Sequence, residues 1–410
     1  MRPRMAGSCR TPGVRRARTL TRYPARTPEP FSPEPGFSAS EMAARMATTR
    51  ELLRARGLQG LLVYGAGRAD DVEYLTAWPG TRESHLVVPL EAEPRLFVQL
   101  FNHAPNAARL SVVPAAWGGT SSPDSVAELL SSTGLATARV GILGPLPFQH
   151  YLRLRALCPS VELVDVSAPW RALRAIRSEA EIACFRIAAE YTDRAMEALR
   201  DALKPGVTEH ELAAAIEGAY RPLGGTLGIH FLASMPMEQP ITGVPAQIQS
   251  GRRLAPGDVV ITEVSAGSGP YTGQLHRTYF LGCEPNPTWR RIHQVALDTY
   301  QRIESVLSDG AELDRVLDAA EYVHEQGLTI FDDLLHGANQ YPPIIKTRRT
   351  AHSNPSQFTF RENMVVVIQP NVVTDDAASV GLQFGETVRI TSSGVERLHR
   401  LPRQYFVVPV

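Results

Sequence analysis

The chain has 410 residues, of which 43% are hydrophobic and 20% are charged, as is usual for a globular protein large enough for one or two cores. Its 42 Lys and Arg residues balance its 42 Asp and Glu residues, so no net charge directs the protein towards nucleic acid or an anionic membrane. The four cysteines are widely separated and form no CxxC pair, which argues against a zinc knuckle and against a disulfide framework. The lack of a disulfide framework favours a cytoplasmic location. The most apolar stretches have the length of strands and are too short to cross a bilayer.

The first 41 residues differ in composition from the rest of the chain. Eight arginines precede the first acidic residue, Glu29, and prolines are frequent up to residue 35. The segment lacks the apolar core of a secretory signal, and its low hydrophobicity leaves little to bury. We therefore expect residues 1–41 to be a disordered tail or to lie upstream of the true start. A transit-like or nucleic-acid-binding segment is the alternative.

Residues 42–172 alternate between helical and strand-like stretches. Helical patterns lie at residues 42–56 and 123–131. Apolar runs of strand length lie at residues 60–65, 85–90, 95–100, 139–144 and 161–166. This alternation predicts an α/β domain.

Residues 173–410 form a second unit that contains an internal repeat. In each half, two helices separated at a glycine, Gly206 or Gly310, precede two strands. The strands are predicted at residues 258–264, 277–281, 364–368 and 386–391. The sequence "DVVITE" of the first half matches "MVVVIQ" of the second, which sets Glu263 opposite Gln369. Such a duplication predicts an α+β domain with pseudo-twofold symmetry, whose matched strand ends meet near the axis, where ligands commonly bind.

Several segments of this second unit resemble a known family. They are "RAIRSEAEIACFRIAAEYTDRAM", "LKPGVTEHELAAAIE", "APGDVVITEVS", "GQLHRT", "LLHGANQYPP", "MVVVIQP" and "ETVRITSSGVERL". In order and spacing they resemble the pita-bread domain of the methionine aminopeptidase, Xaa-Pro aminopeptidase and creatinase superfamily, the M24 family. The resemblance covers about residues 42–410. It implies a creatinase- or prolidase-like N-terminal α/β domain followed by a pita-bread domain.

The resemblance also implies where a metal centre would lie. The family's aminopeptidases hold two divalent metals with two Asp, one His and two Glu. At the matching positions this chain has, in order, Glu263, Gln274, His336, Gln369 and Gly385. Carboxamides are neutral and poor ligands for Mn, Co or Zn, and two ions need several carboxylates to neutralise their charge. We therefore expect no dinuclear site and no cofactor, although one weakly held divalent ion is compatible with Glu263, His336 and Glu386.

The remaining polar residues suggest chemistry without metals, as the resemblance to creatinase allows. A buried Glu263 should have a raised pKa, and with His336 it would form an acid/base pair. The expected substrate-binding residues are Gln274, Gln369, Tyr341, His276, Gln383, Glu386 and Arg348. The hypothesis is a creatinase- or Xaa-Pro-aminopeptidase-like hydrolase or lyase that cleaves a C–N or related bond in a small polar nitrogen-containing molecule or short peptide.

Two other functions remain open. A catalytically inactive pita-bread protein would use the same pocket to bind a ligand or a protein. A site that has lost its activity should accumulate apolar residues, however, whereas this site retains polar ones. A mononuclear metallopeptidase is the minor alternative. The resemblance further implies a homodimer, while the neutral charge and short apolar runs predict neither a nucleic-acid nor a membrane partner.

Overall fold

The computed structural model describes residues 36–67, 70–340, 342–352, 354–374 and 380–410, so most of the predicted tail lies outside the described residues. Helix α1 begins at Ala39, three residues before the predicted domain start. The Ser38 hydroxyl caps it by accepting a hydrogen bond of 3.1 Å from the Glu41 N–H. Within the described ranges, no helix combines the length and the apolarity that a bilayer crossing requires.

The N-terminal part builds one sheet between helices. Its helices are α1 (Ala39–Ala55), α2 (Asp70–Thr76), α3 (Ala104–Leu110), α4 (Ser122–Ser132), α5 (Phe148–Leu157) and α6 (Ser167–Ala175). Its strands are β1 (Gly60–Gly65), β2 (Ser84–Pro89), β3 (Arg95–Val98), β4 (Ala115–Trp117), β5 (Arg139–Leu143) and β6 (Glu162–Asp165). The strand order is β4-β3-β2-β1-β5-β6, with β1 parallel to β5 and antiparallel to β2.

Both faces of this sheet are buried, which explains the unbroken apolar runs of its strands. In β1, Leu61 and Val63 pack with α1, α2 and α6 on one face, and Leu62 packs with α4 and α5 on the other. The predicted α/β pattern is confirmed. The short strand β4 was not predicted, because its three residues carry no periodicity.

The C-terminal part surrounds a nine-stranded sheet. Its helices are α7 (Glu179–Ala202), α8 (Glu209–Tyr220), α9 (Pro287–Val306) and α10 (Leu313–Glu325). Its first six strands are β7 (His230–Pro236), β8 (Asp258–Ser268), β9 (Tyr271–Leu281), β10 (Thr329–Ile330), β11 (Leu335–Gly337) and β12 (Ile344–Ile345). The remaining strands are β13 (Val365–Ile368), β14 (Val372–Val373), β15 (Gly385–Thr391), β16 (Gly394–Arg397) and β17 (Phe406–Val408).

The order of the long strands agrees with the predicted duplication. The sheet runs β12-β11-β13-β15-β9-β8-β7, so the two matched strand pairs, β8 with β9 and β13 with β15, lie side by side. Ser178 with Glu181 and Thr208 with Glu211 form the predicted capping boxes at the starts of α7 and α8.

Strand β9 is longer than predicted. It begins at Tyr271 instead of residue 277, so Gln274 lies within the strand and not before it. Gly273 weakened the sequence pattern, but the structure needs a small residue there, since a Cβ would lie 2.7 Å from the Ala189 Cα of α7. The β8–β9 hairpin therefore packs directly against the helix.

Candidate functional site

Five predicted site residues lie on one face of the C-terminal sheet. Side chains alternate between the two faces of a strand, and residues directly opposite each other share a face. Glu263 of β8 lies opposite His276 of β9, and His276 in turn lies opposite Gly385 of β15. Gln274 shares the face of His276, two residues along β9. His336 of β11 lies opposite Val367, which places Gln369, just after β13, on the same face.

The Gln274 carboxamide connects the two halves of the repeat. Its Nε2 lies 2.9 Å from Glu263 Oε1, 2.9 Å from His276 Nε2 and 3.4 Å from Gln369 Oε1. Glu263 and Gln369, the two matched strand ends, therefore meet through one amide group. The convergence predicted from the duplication is present in the structure.

His336 reaches the same network from the opposite side. Its Nε2 lies 3.2 Å from Gln369 Oε1, and its Nδ1 lies 2.9 Å from the Gly337 carbonyl oxygen. Glu263 and His336 have no direct hydrogen bond, because Gln274 and Gln369 stand between them. The two predicted acid/base residues are thus linked through two carboxamides.

A further layer of polar residues supports this network. Gln383 Oε1 lies 3.2 Å from His276 Nδ1, while Gln383 Nε2 donates to the Gly243 carbonyl oxygen at 3.2 Å. The Asn371 amide donates to Asp332 Oδ2 at 2.9 Å and lies 3.5 Å from His276 Nδ1. Gln383 was predicted as a site residue, whereas Asp332 and Asn371 were missed.

Both missed residues had a recognisable signal. Asp332 precedes β11 by three residues in "IFDDLLHG", and Asn371 interrupts an apolar run two residues after Gln369. Asp332 Oδ1 is buried and has no hydrogen-bond partner among the described residues. A buried oxygen without a hydrogen-bond partner is rare in native structures and therefore indicates a functional position.

Two carboxyl groups in the site have raised pKa values. Burial, and after it the charge of Asp332, raises the pKa of Glu263 to about 7. Burial raises the pKa of Asp332 to about 7, although the hydrogen bond from Asn371 opposes the shift. Near neutral pH, each carboxyl group can therefore gain or lose a proton, which is what acid/base catalysis requires.

The two histidines of the site are held neutral. Burial lowers the pKa of His276 to about 3 and outweighs the raising effect of Gln383. Burial also lowers the pKa of His336, although its hydrogen bonds to Gly337 and Gln369 oppose the shift. A neutral imidazole can accept as well as donate a proton.

Glu386 does not belong to this face, and its predicted role in the site has no geometric support. It lies opposite Leu275 and Ile368, whose side chains point into the apolar cores. Arg277 donates to its Oε2 at 2.7 Å, and Arg397 and Arg403 donate to its Oε1 at 2.7 and 2.8 Å. Burial opposes ionisation, but these three guanidinium groups outweigh it and hold the pKa of Glu386 well below its usual range. The ion postulated between Glu263, His336 and Glu386 therefore has no common binding point.

Gly385 leaves no room for the carboxylate that the family resemblance places there. A Cβ at this position would lie 2.7 Å from the Ile368 carbonyl oxygen and 2.8 Å from both Cα and Cβ of Gln369. Gln369 thus occupies the space in which a longer side chain at Gly385 would begin. The side chain at position 369 and the absence of one at position 385 are therefore sterically coupled.

Two other predicted substrate-binding residues are not brought into the site. Arg348 lies at the surface, where its guanidinium group pairs with Asp314 at 3.0 Å and Asp318 at 2.6 Å on α10. This placement corrects its predicted role, because both ends of the guanidinium are engaged by the helix. Tyr341 lies outside the described residues.

The donor set does not fit a dinuclear metal centre. The five matching positions supply one carboxylate, one imidazole, two neutral carboxamides and one glycine. The carboxamides already hydrogen-bond to the carboxylate, to an imidazole and to each other. Where the structure describes the chain, three ligand-type side chains come within 4.8 Å of one another only at Glu83, His85 and His150, in the N-terminal part.

Both parts of the chain match models of known domain families. The model of the creatinase/prolidase N-terminal domain matches residues 45–176, and that of metallopeptidase family M24 matches residues 183–392. The chain is 26% identical over 296 residues to the Xaa-Pro dipeptidase of Pyrococcus furiosus, covering 68% of this chain and 78% of that protein. It is 25% identical over 389 residues to the probable dipeptidase PepE of Mycobacterium tuberculosis, covering 91% and 98%.

Solved structures support the same fold. The X-Pro aminopeptidase of Thermotoga maritima superposes with a TM-score of 0.76 at 20% identity, covering 89% of this chain and 99% of that chain. The prolidase of Pyrococcus horikoshii superposes with a TM-score of 0.74 at 21% identity, covering 88% and 99%. At these identities the superpositions establish the fold alone. The matches to the family models establish which family the chain belongs to. Since that match spans more than half of its 410 residues, the chain belongs to metallopeptidase family M24, with a creatinase/prolidase N-terminal domain before the pita-bread domain.

Proposed function

We propose that this protein is a peptidase-like hydrolase that cleaves a C–N bond in a short Xaa-Pro peptide or another small nitrogen-containing molecule, without a dinuclear metal centre. The main supporting observation is the pair of carboxyl groups, Glu263 at a position that matches a ligand of the family and the neighbouring Asp332, whose pKa values are both raised to about 7. The Xaa-Pro dipeptidases among its relatives suggest the substrate class.

The proposed reaction is the addition of water to a carbonyl carbon. Ionised Glu263 removes a proton from the water as its oxygen bonds to the carbon. The C–N bond then breaks, and the departing nitrogen takes a proton from Asp332 or His336. The carboxamides of Gln274 and Gln369 hold the substrate carbonyl or amide, since each offers donors and an acceptor. The products are a carboxylic acid and an amine, which balances the water consumed.

Kinetics with a panel of Xaa-Pro dipeptides, small amides and guanidines test this proposal. Glu263→Gln should lower kcat by about 10²-fold or more, because the proton acceptor is lost. His336→Ala should lower kcat as well. Burial is the main cause of the raised pKa of Glu263, and Asp332→Asn removes the charge that adds to it, so the acid limb of the pH–rate profile should move to lower pH. If all three variants keep wild-type rates and profiles, the assignment is wrong.

The metal question needs a separate measurement. Protein treated with a chelator should keep its turnover, and added Mn²⁺ or Co²⁺ should not raise it. Loss on chelation and recovery with Mn²⁺ would contradict metal independence while leaving the peptidase assignment in place. Full chains carrying Glu83→Gln serve as a control, because they separate an effect of the N-terminal cluster from one of this site.

A binding function is the second candidate, and one observation favours it. The Gln274 amide already contacts Glu263, His276 and Gln369, so this carboxamide is engaged without a substrate. A ligand-binding pita-bread protein would bind members of the panel without turning them over. We further propose a second copy of the chain as its partner, and light scattering of the purified protein tests that expectation.

A further inference from the structure

The N-terminal domain contains a second polar cluster, remote in sequence from the residues discussed so far. Glu83 immediately precedes β2, His85 lies in β2, and His150 lies in the first turn of α5. Strand pairing places Tyr64 of β1 opposite His85. The sequence separates His85 and His150 by 65 positions, so only the packing of α5 on the sheet brings them together.

Three imidazole nitrogens of this cluster lack hydrogen-bond partners among the described residues, whereas Glu83 hydrogen-bonds with Tyr64. His85 is 0% exposed, and neither of its ring nitrogens has a hydrogen-bond partner among the described residues. Nδ1 of His150 is likewise buried and unpartnered. A buried polar group without a partner costs roughly 1–3 kcal/mol. Native structures rarely leave several such atoms together unless a ligand, ion or water satisfies them.

The ligand atoms are spaced almost as a bound metal ion would require. Glu83 Oε1 lies 3.8 Å from His85 Nδ1, and Glu83 Oε2 lies 3.5 Å from His150 Nε2. One ligand atom from each residue falls within 4.8 Å of the other two. Zinc bonds of about 2.0–2.1 Å in a tetrahedral site place neighbouring ligand atoms about 3.3 Å apart. Small rotations of the side chains would therefore close the site around an ion.

The packing around the cluster holds both imidazoles in place. Tyr64 packs edge-on against both rings, with centroid distances of 5.1 Å to His85 and 5.9 Å to His150. This packing restricts both imidazoles to small rotations of the kind that closing the site requires, so the donors are held near their binding positions.

The cluster has access to solvent on one side. Glu83 and His150 also line a surface cleft of 600 Å³, together with Phe101, Trp117 and Arg153. A zinc ion held by three protein ligands keeps a fourth position for water or another ligand, and such a position would open into this cleft. The cleft therefore provides both an entry path and space for an exchangeable ligand.

We propose that Glu83, His85 and His150 bind one Zn²⁺ ion, with its fourth position directed into the cleft. Two imidazoles and a carboxylate are a donor set typical of zinc sites with an open position. This site is separate from the pita-bread site, and the inference does not depend on the proposed function. The competing explanation is a neutral packing cluster of Tyr64 and the two histidines.

Equilibrium dialysis of the chelator-treated full chain against Zn²⁺, followed by plasma mass spectrometry, tests the site. Wild-type protein should bind one equivalent of zinc at this site. His150→Gln and Glu83→Gln should each bind it at least about 10- to 100-fold more weakly, since changing even a group that supports a ligand has effects of that size. Both replaced side chains are partly exposed, so the variants should fold, which circular dichroism verifies.

Glu263→Gln is the matched control, because it removes a carboxylate from the pita-bread site and should leave zinc binding unchanged. Substitution with Co²⁺ gives a second readout, since its visible absorption reports nitrogen ligation and should disappear in His150→Gln. The proposal is overturned if the wild-type chain binds no zinc, if both N-terminal variants bind it as tightly as wild type, or if only Glu263→Gln abolishes binding.

Discussion

Glu263 and Glu386 show how one residue type acquires opposite properties within a single sheet. Glu263 faces carboxamides and a second carboxyl group, so burial dominates and its pKa rises to about 7. Glu386 faces Arg277, Arg397 and Arg403 on the other side, so its pKa falls. The first glutamate is suited to proton exchange near neutral pH, and the second is a fixed charge that stabilises the fold.

The pH dependence of stability should distinguish these two glutamates. The folded-state pKa of Glu263 lies above its ordinary value of 4.5, so stability is lost as the pH rises from 4.5 to about 7. Glu263→Gln removes this cost and should stabilise the protein by about 1–3 kcal/mol at pH 8 relative to wild type, with little effect near pH 4.5. Urea unfolding at several pH values measures the difference.

Glu386→Gln serves as the comparison and should have the opposite sign. Its lowered folded-state pKa means that the carboxylate stabilises the protein at all pH values above the ordinary glutamate pKa. Removing the charge leaves Arg277, which is 0% exposed, without its anion, and should cost about 3 kcal/mol or more at pH 8. Equal effects of the two substitutions at pH 8 would contradict the assigned environments.

At the scale of elements, the alternation of strand side chains decides which residues share the site. Gln274 and His276 face Glu263, while Leu275 between them faces the core. The same alternation separates Gly385 from Glu386. A shift of one residue in the pairing of β15 would exchange their positions. Close contact at Gly385 helps to hold the observed register.

Gly385→Ala should therefore destabilise the protein. Its Cβ would meet a carbonyl oxygen of β13 and the Cα of Gln369, and backbone atoms cannot rotate away. We expect a loss of about 1–3 kcal/mol and a change in KM, since Gln369 must move. Gly394→Ala, in neighbouring β16, is the matched control, because no atom lies within 4 Å of a Cβ there. Similar melting temperatures for both variants would refute the crowding argument.

At the scale of the whole molecule, a buried arginine connects the two domains. Arg174 of α6 donates to Asp71 of α2 at 3.1 Å, and its other terminal nitrogen lies 3.6 Å from Glu181 of α7. Its guanidinium carbon also lies 3.6 Å from the centre of the Tyr74 ring. One side chain thus compensates an acid in each domain, which couples their stabilities.

Arg174→Met should weaken this connection. It leaves two partly or fully buried acids with less compensation, so we expect a loss of about 3 kcal/mol or more and faster proteolysis between α6 and α7. Arg194→Met is the control, because Arg194 forms an exposed pair with Glu190 four residues earlier and should change stability by less than about 0.5 kcal/mol. Cleavage at wild-type rates in the Arg174 variant would exclude the coupling.

Most of the fold could be predicted because its signals are local. Capping boxes located the starts of α7 and α8, apolar runs located β1 and β8, and the repeat predicted that its matched strand ends meet. The start of β9 was misplaced, because Gly273 is unfavourable for a strand and is required only by contact with α7. Strand propensity is a property of a single residue type, whereas Gly273 is required by its close contact with Ala189 of α7.

The sequence by itself determined the family, the order of elements and the presence of two glutamines, Gln274 and Gln369, among the candidate site residues, since each follows from residue identity and spacing. Tertiary structure alone decided that Asp332 joins Glu263, that Glu386 belongs to an ion-pair network, and that His85 meets His150. The reason is that desolvation and charge pairing depend on distances between groups far apart in the chain. Those distances are fixed only when the strands and helices pack.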